Sequence, residues 1–287
     1  MQKRKKNSIF FYPILFLCLL ALFYSGYRFY GILSEYYRAD REYEQISKEY
    51  TEPNDATVPD ASTHGEDDTW PLIEDAEPPL TPNWDELKAV NSDLVGWLYV
   101  GAVDISYPIV QADDDDYYLH RTFEKTYLFA GSIFEEALND PHFSDMHTLV
   151  YGHNMKNGSM FAGLKKMKDQ ELYDSDPYFW ILTPEGNYRY HIISIFDTRP
   201  MSDIYQLFDS DQKPKFLAWE KAVQKASVPK NNVSIDEDGN DLVVTLSTCN
   251  TSEKRTVVIG RCCSSGKPVR KAVSEQEQTE DRENQNS

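Results

Sequence analysis

Cysteine is scarce in this 287-residue sequence, with four in all, and that scarcity excludes a small fold stapled together by disulfides. Basic residues are also in short supply. Twenty-nine Lys and Arg stand against 47 Asp and Glu, a formal net charge of −18, and no dense basic tract lies outside Lys3 to Lys6. A surface that neutralises nucleic-acid phosphates needs the opposite balance, so nucleic-acid partners are excluded. No internal repeat is visible, and only one long uncharged apolar run occurs. What is plentiful is aromatic: 19 Tyr, 14 Phe and 5 Trp are too many for a wholly disordered chain, although so much negative charge calls for disordered stretches. The length suits one sizeable domain with accessory segments.

The apolar run extends from Ile9 to Tyr27, 19 residues without a charge, about the length that crosses a bilayer core as a helix. Lys3, Arg4, Lys5 and Lys6 precede it, and flanking cations stay on the cytoplasmic side. Residues 1–7 are therefore read as a cytoplasmic basic segment and 8–27 as a single-pass transmembrane signal anchor. The rest then lies outside the cell membrane. A cleaved signal peptide is the competing reading, but no A-x-A-like site follows, and Arg28, Phe29 and Tyr30 are poor cleavage neighbours. Pro13 is tolerated in a membrane helix. Residues 28–82 read as an acidic extracytoplasmic spacer, because Glu35 to Leu80 carries 14 acidic against 3 basic residues with five interspersed prolines; its early part, Tyr36 to Tyr50, is suited to continuing the helix outward. Residues 264–287 are polar throughout and read as a disordered tail.

Between these flanks, residues 83–263 read as the folded domain. It opens with an amphipathic stretch, Trp84 to Trp97, capped by Asn83. Eight segments rich in β-branched and aromatic residues follow: Gly96 to Val100, Asp104 to Val110, Gly131 to Glu136, His147 to His153, Tyr178 to Thr183, Tyr188 to Phe196, Leu242 to Thr248 and Thr256 to Arg261. The turn cluster Pro184 to Asn187 predicts a hairpin between the fifth and sixth. Helices are expected at SMFAGLKKMKD, after Gly158, and from Lys215 to Ser227. The class is mainly β, as a barrel or sandwich with short helices.

Of the four cysteines, Cys18 lies in the anchor, and the adjacent Cys262 and Cys263 close the last strand, where a bond between neighbours would be strained. Cys249 differs, because it stands where a strong strand gives way to a polar loop, a rigid support that faces solvent and suits a nucleophile. A structural Cys at a strand end is the bland alternative. The five-residue loop Asn250 to Lys254 predicts a hairpin that sets Arg255 across from Cys249. A guanidinium cannot act as a base, but its fixed donors suit an oxyanion; an exposed strand-end Arg is the competing reading. A Cys nucleophile usually needs an imidazole to move protons, and His153, which closes its strand before a Gly-containing turn, is the best placed of six. His64, His120, His142, His147 and His191 are read as solvated or packed. The run Asp113 to Asp116, read as a calcium loop, puts Glu124 at the twelfth position but Tyr118 where Gly is required; it reads as a solvated acidic loop, and no metal is expected.

Taken together, YGHNMKNGSMF (Tyr151 to Phe161), TLSTCN (Thr245 to Asn250) and RTVVIG (Arg255 to Gly260) resemble the signature blocks of class B sortases, cysteine transpeptidases of Gram-positive bacteria. VGWLYV, ISYPIVQ, DDYYLH and AGSIFEE extend the resemblance, in the family's order, over roughly Trp84 to Arg261. It implies an eight-stranded sortase-type β-barrel, with the 215–227 helix as the insertion before the Cys strand. Carried over by motif, Cys249 resembles the acyl-thioester nucleophile, His153 the general acid/base and Arg255 the residue that stabilises the transition state. Leu119, Tyr151, Ser247, Ile204 and Tyr205 fall where the family lines its sorting-signal groove. The Cys-to-Arg loop is shorter than in the family pattern, which bears on acceptor or groove details and not on the triad, because Arg255 still leads directly into the VVI strand.

The implied partners are surface proteins bearing a C-terminal sorting signal, expected to be of N-P-x-T-x type, and an amine acceptor such as a peptidoglycan precursor or a pilin Lys. The anchor adds the lipid bilayer, and the chemistry demands no cofactor. Three rival readings stand beside this one. An L,D-transpeptidase would carry an S-x-G-C-x-R block, which is absent. A catalytically inactive, membrane-tethered scaffold on a sortase barrel would not need all three catalytic residue types. A pilus-polymerising enzyme would differ in its acceptor.

Overall fold

The computed structural model describes residues 8–54, 77–249 and 254–266, with residues 8–11, 249 and 264–266 described by backbone alone. The basic Lys3 to Lys6 cluster, the middle of the spacer with His64, Asn250 to Glu253 of the Cys249 loop and the tail beyond 266 lie outside the described residues. Helix α1 runs unbroken from Ser8 to Tyr50, and from Tyr12 it is long and apolar enough to cross a membrane. Side chains such as Leu22, Phe23 and Tyr27 stand exposed along it. Beyond them the helix changes partner. Ala39, Tyr43 and Ile46 recur at spacings of four and three, which puts them on one helical face, and all three are buried against the barrel. The segment read as a spacer is thus structured at both ends: β1 (Thr51–Pro53) pairs antiparallel with β2 (Leu80–Pro82).

Asn83 accepts a hydrogen bond from the Glu86 amide and starts α2 (Trp84–Val90). The expected amphipathic stretch stops there, short of Trp97. Asn91 turns extended because its buried side-chain amide donates to the Phe123 carbonyl and the Tyr118 hydroxyl, and the chain re-enters as strand β3 (Leu94–Val100). There follow β4 (Ile105–Val110), β5 (Ile133–Glu135), β6 (His147–His153), α3 (Gln170–Ser175), β7 (Tyr178–Leu182), β8 (Asn187–Thr198), α4 (Lys213–Lys225), β9 (Val243–Cys249) and β10 (Arg255–Gly266). The last strand runs three residues into the segment read as tail. Among the described residues, eight strands close a barrel in the order β10-β8-β7-β3-β4-β5-β6-β9. The expected hairpin joins β7 to β8, with Leu182 opposite Asn187 and the Thr183 amide on the Gly186 carbonyl.

The expected helix after Gly158 is a 3-10 helix, Phe161–Lys168. With about three residues per turn, Phe161, Leu164 and Met167 stack on one face, and none of the three is exposed. Gly152, in mid-β6, leaves the room this needs, since a Cβ there would collide with the Phe161 ring and with Ile133. Alternation along the last strands separates two cores. Val244, Leu246 and Val258 point into the barrel with Leu98 and Ile109, whereas Val243, Val257 and Ile259 face outward, beneath Phe216 and Val223 of α4. Helix α4 therefore lies on the outer wall and lengthens the excursion between β8 and β9.

Candidate active site

Three strands end together at one rim of the barrel. β6 and β9 run parallel and in register from His147 opposite Val243 to His153 opposite Cys249, so those two backbones are neighbours across a single strand spacing of about 4.8 Å. β10 runs antiparallel to β9 with Val257 opposite Ser247. The ladder ends at this pair; beyond it the Thr256 amide donates to Thr248 Oγ1 at 2.9 Å, and Arg255 is the first residue of β10. The neighbourhood expected between His153 and Cys249 is present in the backbone; β9 and β10 are antiparallel partners, while most of the loop of the expected hairpin lies outside the described residues.

His153 is 8% exposed. Its ring lies 5.6 Å from that of His120 and 5.3 Å from that of Phe129, and Leu119 supplies a backbone hydrogen bond. Its Nε2 has no partner among the described residues. Burial, reinforced by the neighbouring His120, pushes its pKa down to about 4, because a charged imidazolium would lose its solvation. The ring is therefore neutral at pH 7, a form able to accept a proton. On the other side, the Arg255 guanidinium carbon lies 5.8 Å from the centre of the Tyr205 ring, and the Arg255 Nε is buried without a hydrogen-bond partner among the described residues.

The five expected groove residues separate into two groups. Tyr151, two residues before His153, donates from its hydroxyl to Glu136 Oε2 at 2.8 Å, and its ring lies 6.4 Å from that of Tyr205. The Tyr205 hydroxyl is 3.0 Å from Ser247 Oγ, and Leu119, half-buried, sits on the 3-10 turn Tyr118–His120. A polar track therefore runs from Arg255 through Tyr205 and Ser247, with the Tyr151 ring and Glu136 beyond. The Ile204 side chain is buried in the outer core with Phe208 and Phe216. Ser247 is fully buried and is engaged by the half-buried Tyr205.

Two features escape sequence reasoning. His120, read there as solvated or packed, stands beside His153. Glu136 is the other, the acceptor of the Tyr151 hydroxyl: burial first, and then the adjacent Asp115, push its carboxyl up to about 7, against the opposing Tyr151 hydrogen bond. The only sequence signal was the Asp113 to Asp116 run, whose Asp115 Oδ1 also accepts from the Ala137 amide. His147 is structural. Buried under α4, it donates from Nδ1 to the Gln206 carbonyl at 2.8 Å, accepts at Nε2 from Thr245 Oγ1 at 2.8 Å, and lies 4.3 Å from the Trp219 ring. His191 is likewise buried, with its ring 4.6 Å from that of Tyr178.

Residues 98–262 match the family described as Sortase domain. Sortase B of Listeria monocytogenes serovar 1/2a is 37% identical over 187 residues, covering 65% of this chain and 74% of that protein. Among solved structures, sortase B from B. anthracis in complex with AAEK1 superposes with a TM-score of 0.65 at 27% identity, over 80% of this chain and 99% of that one. The Staphylococcus aureus sortase B–substrate complex gives a TM-score of 0.58 at 25% identity, over 63% and 84%.

Proposed function

This chain belongs to the sortase family and is a class B cysteine transpeptidase, and on that premise we propose that Cys249, His153 and Arg255 carry the reaction on an N-P-x-T-x sorting signal. The observation that supports the assignment is the shared rim, where His153 pairs with Cys249 across β6 and β9 and Arg255 begins the strand on the other side. The Cys249 thiol attacks the Thr carbonyl while neutral His153 takes its proton, and the Arg255 donors hold the oxyanion that forms. The tetrahedral intermediate collapses with His153 returning the proton to the departing amine, which leaves a thioester on the N-terminal part of the substrate. An incoming amine, a peptidoglycan precursor in this reading, gives a proton to His153 and displaces the sulfur. Every step is acyl transfer, and the residues named supply all of its proton traffic.

Sortases act on surface proteins bearing sorting signals, and α1 suits a membrane anchor with the barrel outside. The preference for Asn at the first signal position draws support from the Tyr205–Ser247 hydroxyl pair and Glu136, which offer polar partners to an amide. An amide left unmet in a buried site costs roughly 1 to 3 kcal/mol. Two fluorogenic peptides differing only in Asn or Leu at that position test the specificity, with the Cys249→Ala chain as control. The Asn peptide is expected to be cleaved faster, by about tenfold or more, and Cys249→Ala to form no thioester. Turnover by Cys249→Ala would end the nucleophile assignment, whereas faster cleavage of the Leu peptide would end only the signal assignment.

A further inference from the structure

His153 has no carboxylate partner among the described residues to orient its ring. What surrounds it instead is the irregular segment from Tyr118 to Ser132, which contributes the Leu119 backbone contact and the His120 and Phe129 rings. Its own turns are closed by local bonds, among them the Thr122 amide on the Thr126 carbonyl and the Leu128 amide on the His120 carbonyl, but a segment outside the barrel ladder keeps its position only through what it packs against. The two ends of this one are tied together by the Ser132 amide on the Tyr118 carbonyl at 3.0 Å and by Ser132 Oγ on the Arg121 carbonyl at 2.8 Å. Onto that junction comes Tyr43 of α1, 4% exposed, whose hydroxyl donates to the Gly131 carbonyl at 2.6 Å and lies 3.2 Å from Ser132 Oγ.

Gly131 links this contact to the site. Its φ is +58°, a conformation that favours glycine, and a Cβ there would collide with the carbonyl oxygens of Tyr118 and Leu119. The backbone gripped by Tyr43 is therefore in direct contact with the backbone that meets His153. The same helix also reaches the turn that follows β6, where Asn157 Nδ2 donates to both carboxylate oxygens of Asp40 at 3.0 and 2.8 Å. Between these points, Glu42 accepts from the Glu124 amide at 3.4 Å.

We propose that the extramembrane part of α1 is a working part of the catalytic domain and that Tyr43 is a positioning residue for the His153 imidazole, acting through Gly131 and the Tyr118 to Ser132 segment. The proposal rests on the reading of His153 as the proton-transfer group. Tyr43→Phe removes a single oxygen and keeps the ring in its edge contact with Tyr107, whose centre is 5.3 Å away, so the barrel is expected to stay folded.

The experiment uses the full chain in lipid nanodiscs, with peptide turnover, thermal melting and the NMR titration of the His153 ring as readouts. Tyr43→Phe is expected to lower kcat about five- to twentyfold with KM held within twofold. It is also expected to move the His153 titration upward, toward the ordinary histidine range, as water enters the loosened pocket. Asp40→Ala is expected to act in the same direction, with Asp40→Asn, which keeps an acceptor for Asn157, recovering most of the loss. An unmoved titration in Tyr43→Phe overturns the proposal even where kcat falls, because a merely structural role lowers turnover through the melting temperature alone. His153→Gln, assayed alongside, separates the two readings: retained turnover there removes the proton-transfer assignment and leaves the titration result to be judged by itself.

Discussion

At the scale of single residues, the most informative side chain outside the site is Glu135. It is 1% exposed on β5, and both of its carboxylate oxygens are buried without a hydrogen-bond partner among the described residues. Burial first, then Asp145 and Asp140, push its pKa up to about 9, so it sits neutral inside the wall at physiological pH. The sign of the linkage follows from that direction. A carboxyl that ionises near 4.5 unfolded but near 9 folded contributes no penalty below pH 4.5 and costs stability increasingly as pH rises through that window. At pH 7 the cost is on the order of 3 kcal/mol. Glu135→Gln keeps the shape and removes the titration, so thermal melts should coincide with the parent chain near pH 4.5 and lie several degrees above it at pH 8. Coincident melts at both pH values would mean that the carboxyl is solvated.

At the scale of elements, the segment between β8 and α4 shows how a buried side chain governs a surface one. His147 holds the Gln206 carbonyl, and its neighbour Tyr205 meets Ser247 and lies near Arg255. His147→Ala leaves Cys249, His153 and Arg255 in place but frees that segment, so KM for the signal peptide should rise several-fold with kcat within about twofold; an equal fall in kcat would put His147 in the chemistry. The strands behind this arrangement were readable in advance, because alternation of β-branched and aromatic residues is a local signal, and so were strand ends bearing Cys249, His153 and Arg255. The docked part of α1 was readable only as a helical continuation. Its apolar face is carried by an alanine, a tyrosine and an isoleucine amid dense acidic charge, which has the composition of a spacer. The Ile204 side chain and the environment of His120 depend on tertiary contacts that no spacing encodes.

At the scale of the whole molecule, a chain of net charge −18 is joined to a helix suited to a bilayer, and the basic residues ahead of that helix predict an outward-facing barrel. Protease added to intact protoplasts should therefore remove the domain, and protection would reverse the orientation. The continuity of α1 also sets a length. If α1 leaves a bilayer near Arg28, the 15 residues to Tyr43, rising about 1.5 Å each, would set the docking point about 22 Å from the lipid surface. That stand-off exceeds two Debye lengths of about 8 Å at physiological salt, so an acidic barrel is largely screened from anionic headgroups. On the same reading, a substrate held in that bilayer needs roughly six or seven extended residues, at about 3.4 Å each, to reach the level of Tyr43.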